Sequence, residues 1–384
     1  MMATSTLDPQ YIQCSISVMD NIADPDIRFD AQGVCNYYAK YKVAEKSMVL
    51  NGEHGKARLG LEIAAIKSAG KGRKYDCILG LSGGVDSTYL CLLAKQQGLN
   101  PLIVHCDNGW NSELAQHNIE HTVKTLGFDL YTYVINWEEF KELQLSYLKA
   151  SVVDIEALTD HAFMAVLYEQ ARKWNIKYVL AGMNIVTEYV LPNYWIYDKS
   201  DVVNIKAIQN KFGTKRASAL KSFPFLDYKT KRYCHEILKM QVVTPLNYIE
   251  YQYDVVKDTI MKELNWRDYG GKHYESVWTR FYQGYILPVK FNIDKRKAHY
   301  SNLIFSGQLT KEEAVHKLQS PSLPERLLKE DYEFVLKKFR LSREEFEIIM
   351  HAPRVEHRHY GYQKGFWETY PFLWPIKKIK EIFS

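Results

Sequence analysis

From about residue 61 onward, short apolar runs alternate with stretches whose apolar residues recur at helical spacing. RLGLEIAAIKSAG reads as an amphipathic helix ending at Gly70, and residues 75–81 read as a buried strand. Residues 87–97 predict a helix ended by Gly98, and PLIVHCD a second strand. Residues 111–126 predict a helix closed by Gly127. LYTYVI reads as a third strand, 154–174 as one or two helices, KYVLAG as a fourth strand and KMQVVTPL as the candidate fifth. Strands alternating with helices imply an α/β fold: a doubly wound, parallel, five-stranded sheet with helices on both faces. In such sheets the ligand site lies beyond the carboxyl ends of the strands. The loops 82–87, 107–110 and 182–188 fall there.

The flanks differ. Residues 1–60 read as an N-terminal appendage, 61–250 as the α/β domain, and 251–384 as a helical region. Two capping boxes, Thr310 to Glu313 and Ser342 to Glu345, mark helix starts in that region. The aromatic tail HYGYQKGFWETYPFLWPIKKIKEIFS, with its basic end, reads as a strap docked on the main domain; contact with a membrane surface or a partner is the alternative. There is no internal repeat or low-complexity segment.

Composition narrows the class modestly. Hydrophobic content of 46% and charged content of 25% are those of a globular chain. No apolar run reaches the roughly 18 residues of a spanning helix, and MMATSTLDPQ has no export-signal pattern. The six cysteines are scattered and three lie in apolar runs, which fits reduced thiols and a cytoplasmic setting. A net charge of +5 permits a polyanionic partner without demanding one.

The chemistry concentrates in Ser82-Gly83-Gly84-Val85-Asp86-Ser87, between a predicted strand and a predicted helix. No lysine follows the glycines, which excludes the G-x-x-x-x-G-K-[ST] loop, and G-x-G-x-x-G is absent. What remains is small residues, two hydroxyls and an acid at a helix start. Backbone N–H groups and the helix dipole favour an anion there. Asp86 cannot face phosphate without repulsion, and a bridging Mg²⁺ resolves that.

This S-G-G-x-D-S loop resembles the pyrophosphate loop of the N-type ATP pyrophosphatases, the PP-loop superfamily of NAD, GMP and asparagine synthetases and tRNA-modifying enzymes. The resemblance implies a Rossmann-like, adenine nucleotide alpha hydrolase-like sheet, ATP as co-substrate, and ATP-binding residues Ser82, Gly83, Gly84, Val85, Asp86 and Ser87. In VLAGMNIVTEYVLPNYW it adds Gly182 and Asn184, with Glu188 joining Asp86 at Mg²⁺. Asp107, in DNGW, is a further nucleotide-pocket candidate, against a plain strand-ending turn.

Five stretches in order, FDAQGVCNYY, LGLSGGVDSTYL, DNGWNSE, NKFGTKR and DKRKAH, together with the segment NWRDYGGKHYESVWTRFYQGY, resemble the N-acetyl sugar amidotransferases of surface-polysaccharide (O-antigen, lipopolysaccharide) biosynthesis. The likeness runs from about residue 14 to about 320. It implies that ATP adenylylates the acetamido oxygen of a nucleotide-linked N-acetyl sugar and that ammonia displaces AMP, giving an acetamidino sugar. Cations are then expected around the departing pyrophosphate: Lys272, His273, Arg280, Lys295 and Arg296 join Asp86 as catalytic candidates. His273 or His299 is the candidate proton shuttle. Lys211, Lys215 and Arg216, with Trp195 and His299, are the substrate-binding candidates. For the cations the competing reading is a solvated surface.

No cysteine sits on a nucleophile elbow and none stands at position 1, so no glutaminase of its own is recognisable; the family resemblance implies ammonia from a separate HisH-like glutaminase subunit with a HisF-like barrel subunit. The absence of C-x-x-C disfavours tRNA thiolation, and nothing reads as a basic tRNA-gripping domain. No nucleic acid and no membrane insertion are expected. A tRNA-modifying ATPase (lysidine or thiolation type) and a non-catalytic scaffold subunit are the rival readings. The family often carries two C-x-x-C pairs near its N-terminus. Here they read Cys14-Ser-Ile-Ser17 and Cys35-Asn-Tyr-Tyr38, a degenerate zinc-ribbon-like segment. Two thiolates do not close a tetrahedral site, so no zinc is expected.

Overall fold

The structure is a computed structural model that describes residues 11–364 and Glu368. Five parallel strands form one sheet: β1 (Cys77–Gly80), β2 (Pro101–Asp107), β3 (Asp129–Val134), β4 (Tyr178–Leu180) and β5 (Gln241–Val243). Their order is β3-β2-β1-β4-β5. The first connections step outward from β1 through β2 to β3, and the chain then returns to the other side of β1. The direction of winding therefore reverses between β1 and β4, and a doubly wound sheet opens its ligand crevice at that reversal.

Both faces of the central strands β1, β2 and β4 are buried, as in parallel sheets generally, while the edge strands β3 and β5 are largely exposed. Along β1 and its flank, Cys77, Leu79 and Leu81 point into one apolar cluster and Ile78 into another. In β2, Ile103 points to the first and Leu102 and Val104 to the second. The first cluster is closed by Ile63 and Ile66 of helix Gly52–Gly70, Leu90 and Leu93 of helix Val85–Gln96, Ile119 of helix Glu113–Leu126, and Ile260 of helix Tyr253–Leu264. Val166 and Leu167 of helix Ala157–Trp174 close the second. Gly80 is needed where it stands: a Cβ there would sit 2.1 Å from the Phe163 ring.

A third and larger cluster lies beside the sheet. It gathers Met19 and Tyr41 from the N-terminal segment, Phe140 and Tyr147 from helix Trp137–Ala150, and Trp278, Phe281 and Phe346 from the C-terminal helices. The N-terminal appendage and the helical region thus share one core. Both expected capping boxes form, at Thr310 and at Ser342. Helix Trp137–Ala150 and helix Val202–Phe212 were not anticipated from the pattern.

In the N-terminal segment Cys14 and Cys35 are buried. The Cys35 N–H donates to Cys14 Sγ at 3.2 Å, and Ser17 Oγ lies 3.9 Å from Cys35 Sγ. Tyr38 turns its ring against Phe305, with centroids 5.2 Å apart. Apolar packing holds the segment where a second pair of thiolates would otherwise stand. Of the aromatic tail, Tyr360 is docked, its hydroxyl donating to the Ala150 carbonyl at 2.9 Å. Gln363 N donates to Asp201. The remainder of the expected strap lies outside the described residues. No helix among the described residues is long and apolar enough to cross a membrane.

Candidate functional site

The loop after β1 is organised by its own hydroxyls. Ser82 Oγ and Ser87 Oγ are 3.1 Å apart, the Gly84 N–H donates to Ser82 Oγ at 3.2 Å, and the Ser82 N–H reaches Ser87 Oγ at 3.3 Å. Gly83 adopts φ +87°, a conformation that L side chains rarely take. Its carbonyl is clamped from the C-terminal region by Trp266 Nε1 at 2.8 Å and Tyr269 Oη at 2.9 Å. With that carbonyl turned away, the loop presents small residues and a helix N-terminus to a cavity of about 300 Å³.

Asp86 from the β1 loop and Glu188 from the β4 loop line that cavity together, as their positions at the winding reversal require. Asn184 caps the short turn Ile185–Glu188, accepting from Thr187 N at 2.9 Å. Its amide lies 3.4 Å from Asp86 Oδ1. The Tyr251 hydroxyl donates to the same carboxylate oxygen. Gly182 packs directly on the Asp86–Ser87 backbone, with 3.4 Å left for a Cβ.

Lys272 closes the cavity. Its ammonium is 2.9 Å from Glu188 Oε1. Burial pushes Asp86 up, to about 6, and Glu188 adds to the rise while Lys272 opposes it. For Glu188 burial also acts upward, but the Lys272 and His273 charges outweigh it and hold the carboxyl low. Burial disfavours the Lys272 charge, yet Glu188 and Asp86 together keep it above the ordinary lysine range. Two carboxylates from two strand ends are therefore held against one cation. Among the described residues no group of three or more His, Cys, Asp or Glu is arranged for a metal. Two carboxylates completed by phosphate oxygens is nonetheless how Mg²⁺ is commonly held in ATP sites. The donor set fits, because the pair already demands a positive charge.

The other candidates divide. His273, at φ +64°, lines the cavity beside Glu275. Lys295, at the start of helix Arg296–Phe305, acts electrostatically on Glu188 and on Glu156. Arg280 does not line the cavity; it makes a two-pronged pair with Asp331, at 2.7 and 2.6 Å. Arg296 is likewise tied to Asp294, at 2.7 Å, and to the Ser320 carbonyl. In this structure each guanidinium is held by a carboxylate and neither lines the cavity. Asp107 accepts its own loop's Gly109 N–H at 2.8 Å and does not line the cavity.

The substrate candidates are also scattered. Lys211 stacks on Tyr360, 4.8 Å from the ring centroid. The Lys215 N–H is held by Glu142 at 3.0 Å. Neither these residues nor Arg216 lines the cavity at the loop. Trp195 is buried, and its indole donates to the Ala23 carbonyl at 2.6 Å. His299 does reach the site: Nδ1 is 3.4 Å from Lys272 Nζ. Burial, then the Lys272 charge, hold it well below the ordinary histidine range.

Four site residues were missed: Trp266, Tyr269, Tyr251 and Glu275. The first two hold Gly83, the third holds Asp86, and Glu275 faces Gly84, leaving 3.6 Å for a Cβ. Their only sequence signal was aromatic richness around the Gly270-Gly271 turn. His105 was missed as well; it bridges the Leu81 carbonyl (2.9 Å) and the Asn111 amide (3.0 Å), fixing β2 to the loop.

Comparison with known proteins gives matches to parts of the chain. Residues 275–373 match the family model described as LPS biosynthesis protein WbpG-like, C-terminal domain. A glutamine-hydrolysing GMP synthase of Thermosipho africanus is 36% identical over 114 residues, 27% of this chain and 21% of that protein. A 7-cyano-7-deazaguanine synthase of Methanospirillum hungatei is 34% identical over 91 residues, 24% of this chain and 37% of that one. An uncharacterized protein of Methanocaldococcus jannaschii is 25% identical over 269 residues, 68% of this chain and 78% of that one. The chain thus spans about a fifth of the GMP synthase it matches. Among solved structures, an NH3-dependent NAD synthetase from Campylobacter jejuni aligns over 55% of this chain and 95% of that one, with TM-score 0.30 and 15% identity. An NMN synthetase from Francisella tularensis aligns over 54% and 95%, with TM-score 0.29 and 13% identity. The C-terminal stretch is thus similar to a lipopolysaccharide-biosynthesis family over residues 275–373, and shorter stretches of the chain are similar to a GMP synthase and a 7-cyano-7-deazaguanine synthase.

Proposed function

We propose that this chain is the synthetase component of an ATP-dependent amidotransferase acting on a nucleotide-linked N-acetyl sugar in surface-polysaccharide biosynthesis. The observation that carries the reading is the loop 82–87 facing Asp86, Glu188 and Lys272 at the sheet's winding reversal, in a chain whose C-terminal stretch matches a lipopolysaccharide-biosynthesis family.

The chemistry runs in two displacements. The acetamido oxygen attacks the α-phosphorus of ATP, the bond from that phosphorus to pyrophosphate breaks, and an O-adenylyl imidate forms. Ammonia then adds to the imidate carbon and AMP departs, leaving the amidine. The loop's N–H groups and the Ser82 and Ser87 hydroxyls bind the phosphates that leave. Lys272 stands where the negative charge of the leaving group grows. Mg²⁺, held by Asp86 and Glu188, would supply further charge neutralisation when bound. His299 Nδ1 lies 3.4 Å from both Lys272 Nζ and the Thr187 carbonyl, so the imidazole packs beside that ammonium. Ammonia is drawn from a separate glutaminase, since free ammonium at pH 7 is not a nucleophile.

The test is AMP and pyrophosphate release by the purified chain with ATP, an ammonium salt and a panel of UDP-acetamido sugars. Release that depends on one sugar and yields an amidine by mass spectrometry is expected. Turnover with tRNA or a sulfur donor instead, and none with any sugar, would sink the reading.

A further inference from the structure

A second cavity, of about 590 Å³, lies between the N-terminal segment and the chain that follows Glu188. That is within the usual range of ligand pockets, roughly 300–1,000 Å³. One wall carries Asp26, Arg28, Asn36, Tyr37 and Lys40; the other carries Tyr189 and Asn193. Tyr189 directly follows the carboxylate Glu188, so this cavity and the loop cavity lie on either side of one helical turn.

The walls are fixed. Trp195, wholly buried, donates its indole N–H to the Ala23 carbonyl and so ties the 193–195 turn to the N-terminal segment. The Tyr37 hydroxyl donates to Asp24, and the Tyr189 ring packs edge-on against Tyr41 at 6.1 Å. The cations are not consumed in the same way. Arg28 and Lys40 are both exposed and form no ion pair among the described residues, although Asp26 lines the same cavity. Helix Asn36–Met48 begins at this wall with no side-chain cap, which adds its positive end.

We propose that this cavity binds the nucleoside diphosphate part of the acceptor substrate. Two cations without an ion pair among the described residues, one of them Lys40 with its ammonium 5.8 Å from the Tyr37 ring centroid, and a helix N-terminus suit a diphosphate. A lone carboxylate beside them would repel a bare anion, but it suits the hydroxyls of a ribose, as in dinucleotide sites. Asn36 spends its side-chain oxygen on the Arg28 N–H at 3.1 Å, which leaves its NH₂ group for a base carbonyl. Asn193 supplies a second amide, and the Tyr37 and Tyr189 rings offer apolar surface to a planar base. With the diphosphate here, the sugar it carries extends past Tyr189 toward Glu188 and the loop. The inference rests on the amidotransferase reading for what that sugar undergoes, not for the cavity's own chemistry.

The test is calorimetric titration of the intact chain with UDP and, separately, with inorganic pyrophosphate, each with and without a saturating non-hydrolysable ATP analogue and Mg²⁺. UDP is expected to bind in both conditions, and pyrophosphate more weakly than UDP when the analogue fills the loop. The double variant Arg28→Ala/Lys40→Ala should weaken UDP at least tenfold and leave the affinity for the ATP analogue unchanged. Because both side chains are exposed, its melting temperature should match wild type. Asp26→Ala should weaken UDP but not pyrophosphate. No UDP binding, UDP binding unaffected by the double variant, or displacement of UDP by the ATP analogue would each overturn the assignment. Pyrophosphate binding as tightly as UDP with the loop filled would overturn the nucleoside part. Failure of the synthetase reading shows separately, as absent analogue binding or absent AMP release, with the UDP titration intact.

Discussion

Lys272 and Arg280 stand in the same part of the chain, and both were expected to surround a departing pyrophosphate. Their surroundings differ. Lys272 pairs with Glu188, a residue that itself lines the loop cavity, and so carries its charge to the site. Arg280 pairs with Asp331 of helix Glu325–Phe339, whose carboxylate is almost fully buried, and so joins two helices. A cation's role was decided by which acid it met, and acids distant in sequence decided it. The loop cluster spends stability on function, with two carboxylates held close. The Arg280–Asp331 pair joins two helices and does not line the loop cavity.

Breaking the loop cluster should give the largest effect on activity. Asp86→Asn is expected to lower sugar-dependent AMP release by roughly 10²-fold or more through lost charge stabilisation, with the fold retained. A variant with near-wild-type release would remove Asp86 from the chemistry. Arg280→Met should behave in the opposite way. Leaving Asp331 buried without its partner is expected to cost about 3 kcal/mol of unfolding free energy, read by chemical denaturation. Affinity for an ATP analogue in native conditions should hold. Loss of ATP affinity without loss of stability would return Arg280 to the site and erase the contrast.

The pH dependence sharpens the same comparison. The folded-state pKa of Asp86 is raised, to about 6, above the ordinary aspartate value. Its contribution to stability is therefore fully present below the ordinary carboxylate range and is lost as pH rises through about 6. Without nucleotide or divalent cation, Asp86→Asn should melt above wild type at neutral pH, and that gain should shrink toward about pH 4. A gain independent of pH would show that Asp86 is not a strained carboxylate. The smallest effect is expected at Lys211, whose ammonium covers the exposed side of Tyr360. Lys211→Ala should cost about 0.5–1 kcal/mol of stability and leave KM for the sugar nucleotide unchanged. A raised KM would restore the basic stretch to the substrate site.

Residues whose position follows from local pattern were legible. Strand, small-residue loop and helix dipole place Ser82, Gly84, Asp86 and Ser87 together wherever the sheet lies, and the order of strands and helices implies a doubly wound sheet. Glu188 was found through the resemblance of its Gly182…Asn184…Glu188 segment to that of NAD synthetases. The Thr310 and Ser342 capping boxes were found because a cap is made within one turn. Trp266 and Tyr269 were not, since nothing near them in sequence says that they will clamp Gly83. Lys211, Lys215 and Arg216 looked like a substrate face only because a run of cations has no orientation until it packs.

The sequence by itself determined the five strands, most of the helices around them and the loop, since these rest on hydrophobic periodicity, glycine geometry and hydrogen bonds between near neighbours; helices Trp137–Ala150 and Val202–Phe212 escaped it. Only the tertiary structure decided which charges face the cavity. Lys272 was drawn there by Glu188, while Arg280 and Arg296 were drawn away by Asp331 and Asp294. It also decided that the N-terminal segment stands against the chain that follows Glu188 and walls a second cavity with it. The physical reason is that ion pairing and shared burial act through space, between residues whose separation along the chain carries no information about their distance.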